Sequence, residues 1–211
     1  MRKIDINTWD RRQTFLFFKG MEHPIYSMTF ELDVTKFYEF VKNNHLSFYF
    51  SFMHKAIKVM NGIENFRYRF IDAEPCVYDS VHPSFTDNVK DTNLFKIVTV
   101  DYNDNLLTFI NEAKSISDKQ GDQFIDFIKE RRQDLVYVTT FPWATYTDVS
   151  FAHHHDSYDA IPRLTWGKFK EVENKKLMPF TIAVHHAFVD GYHVGLYIQW
   201  LQAMINQAEL S

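Results

Sequence analysis

The stretch Phe180-Thr181-Ile182-Ala183-Val184-His185-His186-Ala187-Phe188-Val189-Asp190-Gly191 holds both the architecture and the chemistry of this chain. Phe180 to Val184 is an apolar run of strand length. It leads into two histidines, and a carboxylate follows four residues after the second. Asp190-Gly191 is a turn dipeptide. Beyond it, His193 to Asn206 spaces its apolar residues three or four apart, as an amphipathic helix does. Side chains alternate across a strand, so the two histidines face opposite ways and only one needs to enter a cleft. An imidazole fixed where a strand meets a turn can act as a general base near neutral pH. The other is expected to be a structural histidine with satisfied nitrogens.

Upstream the chain mixes the two periodicities. Tyr26 to Leu32 alternates as a half-buried strand, and Asp33 and Thr35 offer N-cap oxygens to a helix carrying Phe37, Phe40 and Val41. A second helix covers Phe52 to Met60 and stops at Asn61-Gly62. Phe66 to Phe70, Cys76 to Tyr78 and Lys96 to Asp101 read as strands. Asn105 caps a helix with Leu106, Phe109, Ile110 and Ala113, and another helix is expected around Phe124, Phe127 and Ile128. Leu135 to Thr140 reads as a strand ended by Phe141-Pro142-Trp143. In the last helix Val194, Tyr197, Leu201 and Met204 form the apolar stripe. Strands and helices mixed in this order predict an α/β (α+β) fold with helices against a mixed sheet.

Composition narrows the function. A chain of 211 residues, 45% hydrophobic, is long enough for a real core, and one domain over residues 1–211 is the simplest organisation. A net charge of −4 without a long basic run argues against nucleic acid as the main partner. The 21 phenylalanines fit an aromatic core, with part of the excess open to an apolar ligand cavity or a subunit interface. Cys76 is alone, which rules out an internal disulfide framework and fits a reducing cytoplasm. The first ten residues lack an apolar signal core, and no stretch approaches the ~20 apolar residues of a membrane span. The expectation is a soluble cytoplasmic protein.

A metal is not expected. His185, His186, His193, Asp190 and the run His153-His154-His155 supply donors, but adjacent histidines on a strand diverge, and no His-x-x-x-His helix spacing is present. The triple run reads as part of a polar segment.

At these residues the chain resembles the chloramphenicol acetyltransferase family, which is defined by His-His-x-x-x-Asp-Gly. The resemblance extends from end to end. Trp9-Asp10-Arg11-Arg12 is similar to the family's N-terminal Trp-x-Arg-(Arg/Lys), and Tyr78-Asp79-Ser80-Val81-His82-Pro83 to its Trp-Asp-Ser-Val-His-Pro. Phe141-Pro142-Trp143 matches x-Pro-Trp, Pro162 to Phe169 resembles Pro-x-x-Thr-x-Gly-Lys-Tyr, and Leu177-Met178-Pro179 leads into the histidines.

The resemblance implies the CoA-dependent acyltransferase fold, a two-layer α/β sandwich. It also implies acetyl transfer from acetyl-CoA to a hydroxyl of a small-molecule acceptor, chloramphenicol first, by a homotrimer with its active sites between subunits. His186 is then the general base. Asp190 pairs with Arg11 and holds the turn, and Thr139 stands where the family has a serine as oxyanion donor. Thr165 falls on a threonine that binds water near the intermediate, and Lys168 on a lysine near the CoA phosphates. Phe95, Val149 and Phe151 fall on acceptor-lining positions.

The stretch after Trp143 departs from the antibiotic-modifying pattern. Val149 and Phe151 replace Phe and Leu, Ala152-His153-His154-His155 replaces Asn-Val-Ala-Asn, and Phe169 replaces Tyr. Fold and motif do not fix the acceptor. Three readings therefore stay open: chloramphenicol acetylation, transfer to another small hydroxylated or thiol acceptor, and a non-catalytic ligand-binding protein on the same scaffold. A subunit of a dehydrogenase complex is disfavoured, since 211 residues leave no room for a lipoyl domain and its linker.

Overall fold

The spine of the molecule is β10 (Lys175–His185), the strand that ends in the double histidine. A computed structural model describes residues 1–152 and 156–210; the His153-His154-His155 run lies outside the described residues. On one side β10 pairs antiparallel with β2 (Ile25–Asp33) and on the other with β8 (Arg163–Gly167). The sheet continues through β7 (Leu135–Phe141) and β5 (His82–Asn88) to β6 (Phe95–Thr99). The β8–β7 and β7–β5 pairings are parallel and the β5–β6 pairing antiparallel, which makes the sheet mixed. A short strand, β9 (Lys170–Val172), folds back on the start of β10 through Glu173-Asn174, both in the left-handed region. That is the backbone a two-residue hairpin demands. A second small sheet joins β1 (Arg2–Lys3), β4 (Glu74–Val77) and β3 (Tyr68–Ile71).

Helices cover one face of the large sheet. In register across it run Val98, Phe85, Val138, Leu164 and Ile182, all essentially without solvent exposure. On this row lie α3 (Phe48–Asn61) and α5 (Gly191–Asn206). Phe52 of α3 meets Trp166 and Phe180, and Tyr197 of α5 meets Phe180. Burying each such aromatic side chain is worth about 2–3 kcal/mol. The arrangement is two-layered, with helices α2 (Thr35–Asn43) and α4 (Leu106–Gln120) completing the helical layer.

Several local expectations are corrected. No helix spans Phe124 to Ile128: the three apolar side chains there are 52%, 70% and 84% exposed, and only a short 3-10 turn at Lys129–Arg131 follows. Their spacing imitates an amphipathic stripe, but the three stay outside the core, with Phe124 edge-on against exposed Phe95. The alternation of Phe66 to Phe70 begins as a 3-10 turn, Glu64–Arg67, and becomes strand only at Tyr68. α3 starts four residues before Phe52, where Ser47 caps it by accepting from Phe50 N. Thr35 is not a cap; it lies inside α2 and binds Asp33 and Lys176 N with its hydroxyl. In α5 the deepest fourth contact is Ile205, with Met204 only half-buried.

Candidate active site

The turn after β10 is built from both ends of the chain. α1 (Arg12–Phe18) begins directly after Arg11, and Arg11 and Phe18, seven residues apart, fall on the same side of it. Arg11 donates from Nη1 and Nη2 to the two carboxylate oxygens of Asp190, at 2.6 and 2.5 Å. Its Nε donates to Ala187 O at 2.9 Å, and Nη2 also reaches His186 O at 3.3 Å. One guanidinium thus fastens three points of the His-His-x-x-x-Asp turn. The hydrogen bond from Arg11 holds the Asp190 carboxyl below its ordinary range. Asp190 N donates to His193 Nδ1 at 3.1 Å, which joins the turn to the first turn of α5.

The two histidines differ as strand alternation predicts. His185 is buried: Nδ1 accepts from Ala187 N at 3.1 Å and Nε2 meets Ser157 O at 2.8 Å. Those partners require the Nε2–H tautomer, and burial holds its pKa down. His186 stacks on Phe18 with ring centroids 3.8 Å apart and lies 4.7 Å from the Tyr26 ring. Its side chain keeps 35% of its exposure. Nδ1 is buried without a hydrogen-bond partner among the described residues, 3.5 Å from Asp190 Oδ1, so Nε2 is the nitrogen open to a substrate. Burial, with the charge of Asp190 adding to it, pushes the Tyr26 hydroxyl up to about 12.

The other candidate residues lie elsewhere. On the helix-free face of the sheet, Thr139, Thr165, Thr181 and Thr29 stand in register on four neighbouring strands. Thr86 extends the row, its Oγ1 3.2 Å from Thr139 Oγ1. Thr29 and Thr181 hydroxyls meet at 2.8 Å, and Thr181 donates on to Tyr146 Oη. The Tyr146 hydroxyl donates to Thr165 O at 2.8 Å. Thr165 Oγ1 is buried without a partner among the described residues.

A cavity of about 580 Å³ opens at the C-terminal ends of β7 and β8, and its wall includes Thr139, Phe95, Lys168, Trp143, Tyr38 and Phe169. A second, of about 370 Å³, shares Thr86 and Thr139 with the first and includes Phe151. Val149 lines neither.

His186 lines neither cavity. From the Thr181 level of β10 it is five residues onward, past the N-terminal end of β8, and β7 is two strands away. Strand geometry puts His186 roughly 15–20 Å from Thr139. The sequence-predicted residues therefore form two groups: Arg11, His186 and Asp190 at one end of the central strands, and Thr139, Thr165, Phe95 and Lys168 at the other. Thr86, Tyr146, Phe18 and Tyr26 were not singled out by sequence. The segment Ser84-Phe85-Thr86, alternating directly after Pro83, carries the signal that would have found Thr86.

A family model described as chloramphenicol acetyltransferase matches residues 1–202. The chain belongs to the chloramphenicol acetyltransferase family. Among curated members, a chloramphenicol acetyltransferase of Escherichia coli is 33% identical over 97% of this chain and 93% of its own length. One of Staphylococcus aureus is 30% identical over 96% and 98%. A solved chloramphenicol acetyltransferase superposes with a TM-score of 0.90 at 26% identity, covering 97% of this chain and all of the other. A probable dihydrolipoamide acetyltransferase from Listeria monocytogenes, 12% identical, shares the fold at a TM-score of 0.68 over 98% and 95%. This member of the chloramphenicol acetyltransferase family has no helix, among the described residues, long and apolar enough to cross a membrane.

Proposed function

We propose that this chain is an acetyl-CoA-dependent O-acetyltransferase acting on chloramphenicol, working in the cytoplasm as a homotrimer of single-domain subunits. The observation that carries the reading is the fixed His186 turn, with Nε2 open and Asp190 held by Arg11. His186 takes the proton of the acceptor hydroxyl at Nε2 while that oxygen attacks the thioester carbonyl. The carbonyl oxygen gathers the charge, and the Thr139 hydroxyl donates to it. Collapse expels the CoA thiolate, which takes the proton back from the imidazolium. The acetyl group ends on the acceptor oxygen and no acyl-enzyme forms.

The separation of the two groups supports a site assembled between subunits. A base and an oxyanion donor about 15–20 Å apart in one chain cannot serve one carbonyl carbon, since reacting atoms lie about 3 Å from their catalysts. A neighbouring copy supplies the missing half. Exposed Phe95, Phe124, Phe127, Ile128, Phe141 and Trp143 support the same reading, because an apolar set of this size on one chain fits an interface. The larger cavity suits the pantetheine arm and adenine of acetyl-CoA, with aromatic walls for the base and exposed Lys168 for a phosphate. Thr165 Oγ1, buried and unpartnered, suits a bound water.

The test is CoA thiol release from acetyl-CoA with and without chloramphenicol, beside His186→Ala. Release that needs both chloramphenicol and His186 supports the proposal. Acetyl-CoA binding without release leaves another hydroxylated acceptor, and absence of binding favours the ligand-binding scaffold.

A further inference from the structure

The first turn of α5 uses a titratable acceptor where helix starts ordinarily use a fixed one. Asp190 is the N-cap, and its carbonyl accepts from Val194 N at 3.1 Å. Its own amide donates to His193 Nδ1 at 3.1 Å. At this third helical position a glutamate or glutamine usually reaches back to the N-cap amide, and a side-chain oxygen still accepts when the pH falls. An imidazole nitrogen accepts only while it carries no proton, so the contact requires His193 in the Nε2–H tautomer.

The surroundings of Nδ1 disfavour a proton there. Arg11 and Asp190 are the charged groups acting on the ring, and Tyr192 meets it edge-on with ring centroids 5.5 Å apart. Nδ1 lies 3.7 Å from Asp190 Oδ2, the oxygen that Arg11 Nη1 already holds at 2.6 Å. A second cation would share that oxygen with the guanidinium and repel it. It would also sit at the positive end of the helix dipole. Burial, with Arg11 adding to it and Asp190 opposing, keeps the His193 pKa below its ordinary value. Linkage runs both ways: an arrangement that disfavours a proton is destabilised by it. Protonated His193 loses the Asp190 amide and competes for Oδ2. His186 Nδ1 lies 3.5 Å from the other oxygen of that carboxylate, and Arg11 also holds His186 O and Ala187 O. What disturbs the Arg11–Asp190 pair therefore disturbs the seat of His186.

We propose that His193 is a positioning residue of the site: as the Nε2–H tautomer it fixes the Asp190 amide, and proton binding at Nδ1 loosens the turn that carries His186. The effect on catalysis rests on the acetyltransferase reading above, while the clamp itself stands on the geometry of the turn.

Two measurements test it, on the wild type, on His193→Gln, which offers an acceptor that does not protonate, and on His193→Leu, which offers none. In selectively 15N-labelled wild type, the His193 ring is expected as the Nε2–H tautomer at neutral pH. The Asp190 amide resonance is expected to follow the His193 ionisation below pH about 6.5. The Nδ1–H tautomer, or an amide that ignores this ionisation, overturns the proposal, and this arm needs no variant to fold. In CoA thiol release, His193→Leu is expected to lose about tenfold in kcat with the KM for acetyl-CoA within about twofold, and His193→Gln to recover most of the loss. The acid limb of kcat is expected to be shallower in His193→Gln than in the wild type. Limbs of equal steepness, or equal kcat in the Gln and Leu variants, overturn the proposal and leave the acetyltransferase reading intact. A wild type that releases no CoA overturns that reading instead, and the tautomer and amide titration then decide the clamp.

Discussion

Arg11 grips both carboxylate oxygens of Asp190 across 179 positions of sequence, with Nη1 2.6 Å from Oδ2 and Nη2 2.5 Å from Oδ1. Asp190 is therefore committed to Arg11 and holds His186 through the backbone of the turn. Arg11→Ala leaves a carboxylate unpaired beside the histidine and frees Ala187 O and His186 O. Because Asp190 retains 34% of its exposure, the cost is about 2–3 kcal/mol, below the 3–5 of a fully buried pair. Arg11→Lys recovers less than half, since an ammonium cannot make the fork. Urea unfolding checks the stability, and kcat for acetyl transfer falls with it while the KM for acetyl-CoA stays within about twofold.

Thr139 shares its hydroxyl with Thr86 at 3.2 Å, on the rim of both cavities. Removing one oxyanion donor costs about 10²–10³ in kcat, so Thr139→Ala falls in that range and Thr139→Ser recovers most of the loss. Thr86→Val keeps the shape and removes the orienting partner. A smaller drop, about tenfold, is expected in kcat with an unchanged unfolding midpoint.

Gly167 is a glycine because Tyr146 lies on it. A Cβ there would sit 2.9 Å from the Tyr146 ring and 3.1 Å from Pro179. The same tyrosine links Thr165 O and Thr181. Gly167→Ala is expected to destabilise by about 1–3 kcal/mol, and the penalty to shrink in a Tyr146→Ala background. A double-mutant cycle on thermal unfolding measures that coupling; equal penalties in both backgrounds would remove the tyrosine from the explanation.

Four histidines are held neutral by the fold. Burial lowers the pKa of His54 to about 4, with the charge of Lys55 adding to it. Burial also lowers His82, His185 and His193, helped by Arg132 at His82 and by Arg11 at His193. A histidine depressed in the folded state binds fewer protons than in the unfolded chain. Its stabilisation is thus complete above the unfolded pKa of about 6.5 and is lost as pH falls towards the folded value. The urea midpoint should decline as pH drops from about 6.5 to 4. His54→Gln, which keeps a donor for Asn103 O and Asp104 O, should flatten that slope.

Where one face of an element was buried within this chain, the sequence pattern was readable. The apolar run from Phe180 to Val184, the Asn105 cap and the stripe of α5 all have their partners inside the chain, and periodicity reports such partners. The failure at Phe124, Phe127 and Ile128 has the opposite cause: their apolar surface is spaced like a helix but stays largely exposed, outside the core. At the site, the Arg11–Asp190 pairing and the contrast between His185 and His186 were legible through the motif. The distance between His186 and Thr139 was not, because strand order across the sheet is not encoded in local spacing.

That distance gives the most direct measurement of the account. His186→Ala and Thr139→Ala chains are each purified, then denatured together in equal amounts and refolded as hybrids, and CoA thiol release is compared with each variant refolded alone. If each site takes its histidine from one subunit and its threonine from the next, random mixing restores about a quarter of the sites to the wild-type pair, and activity rises towards a quarter of normal. Mixed preparations no more active than the average of the two separate variants would mean that His186 and Thr139 do not meet across subunits.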